Sequence, residues 1–294
     1  MTPNEELLTV AAVARRLGVA PATLRTWDRR YGLGPSSHEA GEHRRYCLMD
    51  LTKLMVMRRL IATGVSAGEA AESAKSFKGK AKIEDIDHEF ESADDLVNAI
   101  HKAAQRFDTT FIESELVKNL AENGVIATWS QVIAPVLNLI GTQWEKSGKG
   151  IDVEHIFTEI LIRVLRGGVS DLKEPLNPRP VLLAAVGGET HTLALHALAA
   201  ALAERRIDTY FLGSCTPLEA VSGMVKRSAP PAVFLWAQLK ENGRSEFFQD
   251  LPVVRPAPRV ILGGPGWNPE ECTGVAVVED LSQACLEIER AVGL

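Results

Sequence analysis

Residues 9–46 read TVAAVARRLGVAPATLRTWDRRYGLGPSSHEAGEHRRY, and the order of elements in this stretch decides how the rest of the chain is understood. Val10, Val13, Ala14 and Leu17 recur at one-turn spacing behind Thr9, a hydroxyl residue suited to capping a helix, and Gly18 is placed to end it. A second helix starts almost at once. Pro21 suits its first turn, Leu24, Trp27 and Tyr31 can face a core, and Arg25, Thr26 and Arg29 share another face with Arg30 beside them. Two short helices across a tight turn, the second with a basic outer face, form the pattern of a helix-turn-helix that reads a major groove. Gly34, Pro35 and Gly41 then mark turns of a short hairpin whose return arm carries His43, Arg44, Arg45 and Tyr46. Such an arm can lay cations and a phenol hydroxyl on phosphates. The competing reading is a small helical subdomain with solvated arginines, but the helix pair followed by a basic hairpin favours DNA.

A chain of 294 residues has room for two or three domains, and 46% hydrophobic residues can give each a core. The net charge of −6 argues against a protein that coats nucleic acid generally, whereas residues 1–75 carry 11 Lys/Arg and 8 Asp/Glu, so the basic excess sits on the reading segment. Cys47, Cys215, Cys272 and Cys285 form no CxxC pair. With no signal peptide and no long apolar run, the expectation is a cytoplasmic protein with reduced thiols and no membrane anchor.

The reading segment continues past the hairpin. Asp50 is expected to cap a helix carrying Leu51, Leu54, Met55, Arg58 and Leu60, ended by Gly64, and Ser66 with Glu69 is a capping-box signature for the next helix. Residues 1–75 therefore make one domain and residues 76–91, with Lys78, Lys80 and Lys82, a solvated linker. TLRTWDRRYGL, a loop, HRRY and the Asp50 helix together resemble the winged helix-turn-helix of the MerR family of transcription regulators. That resemblance implies a dimer on an inverted-repeat site in double-stranded promoter DNA. It also puts Arg25, Thr26, Arg29 and Arg30 at the groove and His43, Arg44, Arg45 and Tyr46 on the wing.

Residues 92–174 read as successive amphipathic helices, hence a four-helix bundle. Leu96, Val97, Ile100 and Ala104 line the first, and Ile112, Leu116, Val117 and Leu120 the second, which ends near Gly124. Thr128 is expected to cap a third that is kinked by Pro135, and the fourth runs from Val153 to Leu165. WEKSGKGIDVEH, from Trp144, brings an aromatic from one helix end to Glu154 and His155 at the next helix start. By spacing alone this is equally a Trp plugging the bundle end beside a surface Glu-His pair. The spacing also resembles the cobalamin-dependent photoreceptors of the MerR family, the CarH/LitR group, which implies that Trp144, Glu154 and His155 cover the upper face of a corrin. Glu145 stands where that group has a histidine able to ligate cobalt, and a carboxylate is a poor substitute for imidazole there, so the usual light switch is not expected.

From residue 175 to 294 the pattern becomes buried apolar runs alternating with helices: VLLAAV, DTYFLG, AVFLWA, RVILGG and GVAVV. This is a doubly wound parallel sheet of flavodoxin-like type, which binds ligands at the carboxyl ends of its strands. The loops to watch start at Gly188, Gly213, Trp236 and Gly263. Glu189 can orient His191 as a metal ligand, although an isolated histidine more often bonds its own loop. GETH, then LGSCTP with Gly213 and Thr216, then Gly263-Gly264, resemble in spacing the cobalamin-binding domain of methionine synthase. That resemblance implies cobalamin, such as adenosylcobalamin, with His191 as lower ligand to cobalt. Ala194 replaces an expected glycine and Trp236-Ala237-Gln238 an expected Ser-x-Leu turn, so the indole can fill the slot that takes the nucleotide tail.

The chain thus reads as a multidomain α and α/β protein: winged helix-turn-helix, helical bundle and cobalamin-binding-type sheet domain. Three functions stay open. The first is a cobalamin-controlled transcription regulator acting through oligomeric state. The second is a regulator whose altered pocket takes another ligand or a partner protein, and the third, ranked far lower, is a corrinoid carrier for methyl transfer. No nucleophile-base pair points to an enzyme. His38, His88, His101 and His196 read as surface or helix-face residues.

Overall fold

The computed structural model describes residues 8–17, 19–36, 44–77 and 92–294. Gly18, Gly41, His43 and the proposed linker lysines lie outside them. The chain divides into two compact units, Met1–Ser114 and Glu115–Leu294.

In the first unit, strand β1 (Leu8–Thr9) leads into α1 (Val10–Leu17), followed by α2 (Pro21–Tyr31), strand β2 (Arg45–Tyr46), α3 (Leu48–Thr63), α4 (Ala67–Ser76) and α5 (Ala93–Ala104). Thr9 caps α1 as expected, its Oγ1 accepting the Ala12 N–H at 3.2 Å. Gly32, in the left-handed region at φ 65°, terminates α2. Val13, Leu17, Leu24, Trp27, Leu54 and Met57 make one core.

Tertiary structure adds one pairing here and corrects one expectation. The return arm of the hairpin pairs antiparallel with the strand before α1, Leu8 opposite Tyr46 and Thr9 opposite Arg45. Helix α3 starts at Leu48, three residues earlier than expected, because Asp50 does not precede it. Its carboxylate reaches back from the third helical position to the Cys47 N–H at 3.0 Å. The Ser66 cap of α4 and the Gly64 stop of α3 stand as read.

Helix α6 (Thr109–Thr128) runs across the division between the units and is broken at Gly124, φ 76° and ψ 171°. The second unit continues with a π-helical turn (Trp129–Ile133), α7 (Ala134–Ser147) and α8 (Ile151–Ser170). Thr128 does not cap a helix, since its hydroxyl donates to Asn119 Oδ1 at 2.9 Å. The cap after the break comes from elsewhere: the Glu204 carboxylate accepts the Val125 N–H at 2.9 Å. Pro135 has no N–H and excludes the carbonyl four residues back, and the distortion it causes takes the form of the π turn just before it. Thr109–Ser147 is, by length and composition alone, apolar enough to cross a membrane, contrary to the expected lack of a long apolar run. Gly124 interrupts it, however, and Val132, Ile133, Val136 and Ile140 are buried in protein.

The sheet follows, with β3 (Val181–Ala185), α9 (Leu193–Glu204), β4 (Thr209–Phe211), α10 (Leu218–Ser228), β5 (Ala232–Trp236), α11 (Glu246–Gln249), β6 (Arg259–Gly263), β7 (Ala276–Val278) and α12 (Leu281–Val292). Its order is β4-β3-β5-β6-β7, and every pairing is parallel. The chain reverses direction between β3 and β5, so their carboxyl ends open a crevice. Alternate residues feed two cores. Leu183, Ala185, Phe234 and Ile261 pack on α9 and α12, and Leu182, Ala184, Val233 and Leu235 pack on α10 and α11.

Candidate DNA-reading face and ligand slot

The candidate reading face is the outer side of α2. Leu24 and Trp27 are buried, which turns Arg25, Arg29 and Arg30 to the exposed side. Thr26 is half-buried and its hydroxyl donates to the Ala22 carbonyl at 3.1 Å, so it is occupied within its own helix. On β2, adjacent residues point to opposite faces. Arg45 is exposed, whereas Tyr46 is fully buried and its hydroxyl meets no partner among the described residues. Tyr46 therefore cannot lie on a phosphate, as the sequence reading had it. Pairing with β1 turns it into the core, where burial first and the nearby Asp28 carboxylate second push its pKa up. Arg44 is half-exposed, with Nε 3.1 Å from Asp28 Oδ2.

In the second unit the arrangement starts at the end of β3. Glu189 is completely buried, and its Oε1 accepts the His191 backbone N–H at 2.9 Å and lies 2.5 Å from His191 Nδ1. Its Oε2 accepts the N–H groups of Gln238 at 2.8 Å and Leu239 at 2.9 Å, and the Asn242 amide at 3.2 Å. Burial raises the Glu189 carboxyl, but these donors outweigh it and hold the group at about 2. The His191 ring is half-exposed, and with Nδ1 held, Nε2 is the nitrogen left to coordinate a metal.

Beyond this pair a cavity of about 1270 Å³ opens beside the ends of β5 and β6, its walls including Trp129, Ala194, Leu198, Phe234, Trp236, Gly263, Gly264 and Leu281. Ligand pockets run from roughly 300 to 1,000 Å³, so this one is ample. Trp236 is a wall of the slot and does not fill it. Its Nε1 is buried without a partner among the described residues. Both glycines are required by close approach: a Cβ on Gly263 would run into the Phe234 ring, and one on Gly264, at φ +98°, into the Ala237 carbonyl. Trp267 Nε1 donates to the Gly263 carbonyl at 3.0 Å and pins that turn.

Gly213 and Thr216 brace the Glu189 loop and are not on the cavity wall. The Thr216 hydroxyl donates to the Gly213 carbonyl at 3.2 Å, and Gly187 N–H to the Thr216 carbonyl at 2.9 Å. Trp144 stands exposed in the last turn of α7, and Glu154 and His155 in the first turn of α8, joined by a 2.9 Å contact between His155 Nδ1 and Glu154 Oε2. His196 is the other departure. It is buried and stacked on Phe211 at 4.4 Å, and burial with the Arg166 charge lowers its pKa to about 4.

Sequence reasoning missed Trp129, Asn242 and Trp267. Trp267 follows GGPG, a turn signal that could have drawn notice, but nothing local marks Asn242, whose contact with Glu189 spans 53 residues.

Residues 8–76 match the model of the MerR HTH family regulatory proteins. The N-terminal module is a MerR-type reading head, and the chain is a DNA-binding transcription regulator. The regulator is similar to two curated relatives from Myxococcus xanthus. It is 26% identical to the HTH-type transcriptional repressor CarH over 278 residues, 90% of this chain and 88% of that one. It is also 26% identical to the HTH-type transcriptional repressor CarA over 272 residues, 88% of this chain and 87% of the relative. Among solved structures, the monomethylamine corrinoid protein of Methanosarcina barkeri matches 68% of this chain and 99% of its own, at 13% identity and a TM-score of 0.48.

Proposed function

We propose that the regulator controls its promoter through a corrinoid-type ligand held by the second unit. The observation that carries this is the buried Glu189 carboxylate on His191 Nδ1, which leaves Nε2 as a donor, beside a slot of about 1270 Å³. These residues fit cobalamin: His191 would ligate cobalt from below, and Trp236, Ala194, Gly263 and Gly264 would receive the tail. Trp144, Glu154 and His155 would cover the upper face. Bound there, cobalamin would supply a metal centre that an imidazole can ligate. Everything else is the work of the chain. Glu189 orients the ring through Nδ1, and Trp129, Leu198, Phe234 and Trp236 give the slot an apolar wall.

In this reading residues 1–75 are the reading head, 76–91 a linker, 92–174 the helical cap and 175–294 the binding domain of a cytoplasmic, non-enzymatic protein. Ligand binding favours one homo-oligomeric arrangement. A dimer on an inverted repeat gains affinity because its second contact is intramolecular, so assembly alone switches promoter occupancy. One observation favours a second reading, a pocket turned to a different ligand: Trp236 and Ala194 both line the slot where a serine and a glycine would leave more room.

The deciding test is an absorption spectrum after incubation with adenosylcobalamin in the dark and gel filtration. Corrin absorbance travelling with the protein and lost in His191→Ala supports the first reading. No retained absorbance overturns it in favour of the second.

A further inference from the structure

The segment carrying Arg44 and Arg45 is tied down by two carboxylates. Asp50, almost wholly buried, sets a single oxygen, Oδ2, to accept from the Ser36 N–H at 3.0 Å, the Ser36 hydroxyl at 3.2 Å and the Cys47 N–H at 3.0 Å. Ser36 and Cys47 are 11 residues apart, so one side chain from α3 gathers the chain entering the wing and the chain leaving it. Asp28, on α2, makes the second tie. Its Oδ2 accepts from Arg44 Nε at 3.1 Å, and its carboxylate occupies the space over Gly34, where a Cβ would collide with it. The bond uses only Nε. The two terminal nitrogens of Arg44, the pair able to grip a phosphate, keep no partner among the described residues.

We infer that Asp28 and Asp50 are positioning residues for DNA binding, holding Arg44 and Arg45 in register with the arginines of α2. The inference rests on the DNA-binding reading. An ion pair as exposed as Asp28–Arg44 contributes little to folding. Its effect falls on binding instead, because an arginine already oriented loses less rotamer freedom when it meets a phosphate.

The test uses the full chain and a duplex that the wild-type protein selects from a random pool, with affinity measured by fluorescence anisotropy over a series of salt concentrations. Asp28→Ala is expected to weaken binding about tenfold and to make the plot of log affinity against log salt shallower by about 0.9, the loss of one phosphate contact. Arg44→Ala combined with Asp28→Ala is expected to be no weaker than Arg44→Ala alone. A purely structural role would leave the salt slope unchanged. If Asp50→Asn does not fold, Ser36→Ala removes one strand of the same tie and is expected to weaken binding with unchanged melting temperature. Wild-type affinity and slope in both Asp28→Ala and Ser36→Ala, or additive losses in the Asp28-Arg44 double variant, would overturn the inference alone. Failure of the wild-type chain to select any duplex would overturn the DNA-binding reading and this inference with it.

Discussion

Glu189 Oε1 lies 2.5 Å from His191 Nδ1, while the other oxygen of the same carboxylate accepts the backbone N–H groups of Gln238 and Leu239. One buried side chain thus links the loop after β3 to the loop after β5, and through Lys240 and Gly243 to the rim of the slot. An effect at this carboxylate is felt in both the histidine and the pocket.

The linkage predicts an acid limb. The Glu189 carboxyl stands at about 2 when folded against 4.5 ordinarily, so its contribution is complete above 4.5 and is lost as pH falls toward 2. The difference corresponds to about 3 kcal/mol. Urea titrations of the wild-type chain below pH 4.5 should show a falling midpoint, with a shallower fall in Glu189→Gln. Parallel profiles would mean that the donors around Glu189 do not discriminate its charge.

His196 predicts a separate limb at higher pH. Its folded pKa of about 4 lies below the ordinary 6.5, so the neutral ring is the stabilising form. Stability should be full above pH 6.5 and decline toward pH 4, and His196→Phe, which can still stack on Phe211, should remove that decline. Thermal melts at pH 7 and pH 5 check it: an unchanged difference between the two in the variant would count against the buried neutral ring.

The two indoles of the slot region are expected to respond oppositely. Trp236→Phe removes a buried N–H that has no partner among the described residues, a group that costs about 1–3 kcal/mol when unsatisfied, so stability should hold or rise. Trp267→Phe removes a donor to the Gly263 carbonyl and should lower it by about 1 kcal/mol or more. Melting temperatures of the pair settle this, and equal losses in both would refute the assignment of Trp236 as unpartnered.

On the reading head, Arg25→Ala and Tyr46→Phe separate surface from core. Arg25 is exposed on α2, and its removal should weaken DNA binding without unfolding the second unit. The Tyr46 hydroxyl is buried, so Tyr46→Phe should bind DNA as wild type does. Anisotropy on a selected duplex decides between this and the phosphate contact suggested by its place in HRRY.

What was legible in the chain was what repeats locally. The apolar spacing of Val13, Leu17 and Leu24, the Ser66-Glu69 cap, the Gly64 stop and the five strands of the sheet each depend on neighbours within a turn or a pleat, so position along the chain sufficed, although β4 and β7, read as buried runs, lie at the sheet edges and are partly exposed. The pairing of Glu189 with His191 belongs to the same class, since the two are two residues apart.

Side-chain direction was decided only by tertiary structure. Tyr46 and Arg45 are neighbours of similar promise, and which of them is exposed depends on β1 pairing from another part of the chain. His196 reads as one position on a helix until Phe211 closes over it. Asn242 meets Glu189, and Trp129 joins the wall of the slot, by contacts that no local spacing encodes. Local order follows from backbone geometry and short-range spacing, which are written along the chain. Burial, and with it the neutral state of His196, follows from which distant surfaces exclude water together, whereas the charge of Glu189 is held against burial by donors from a distant loop, and only the folded chain determines either.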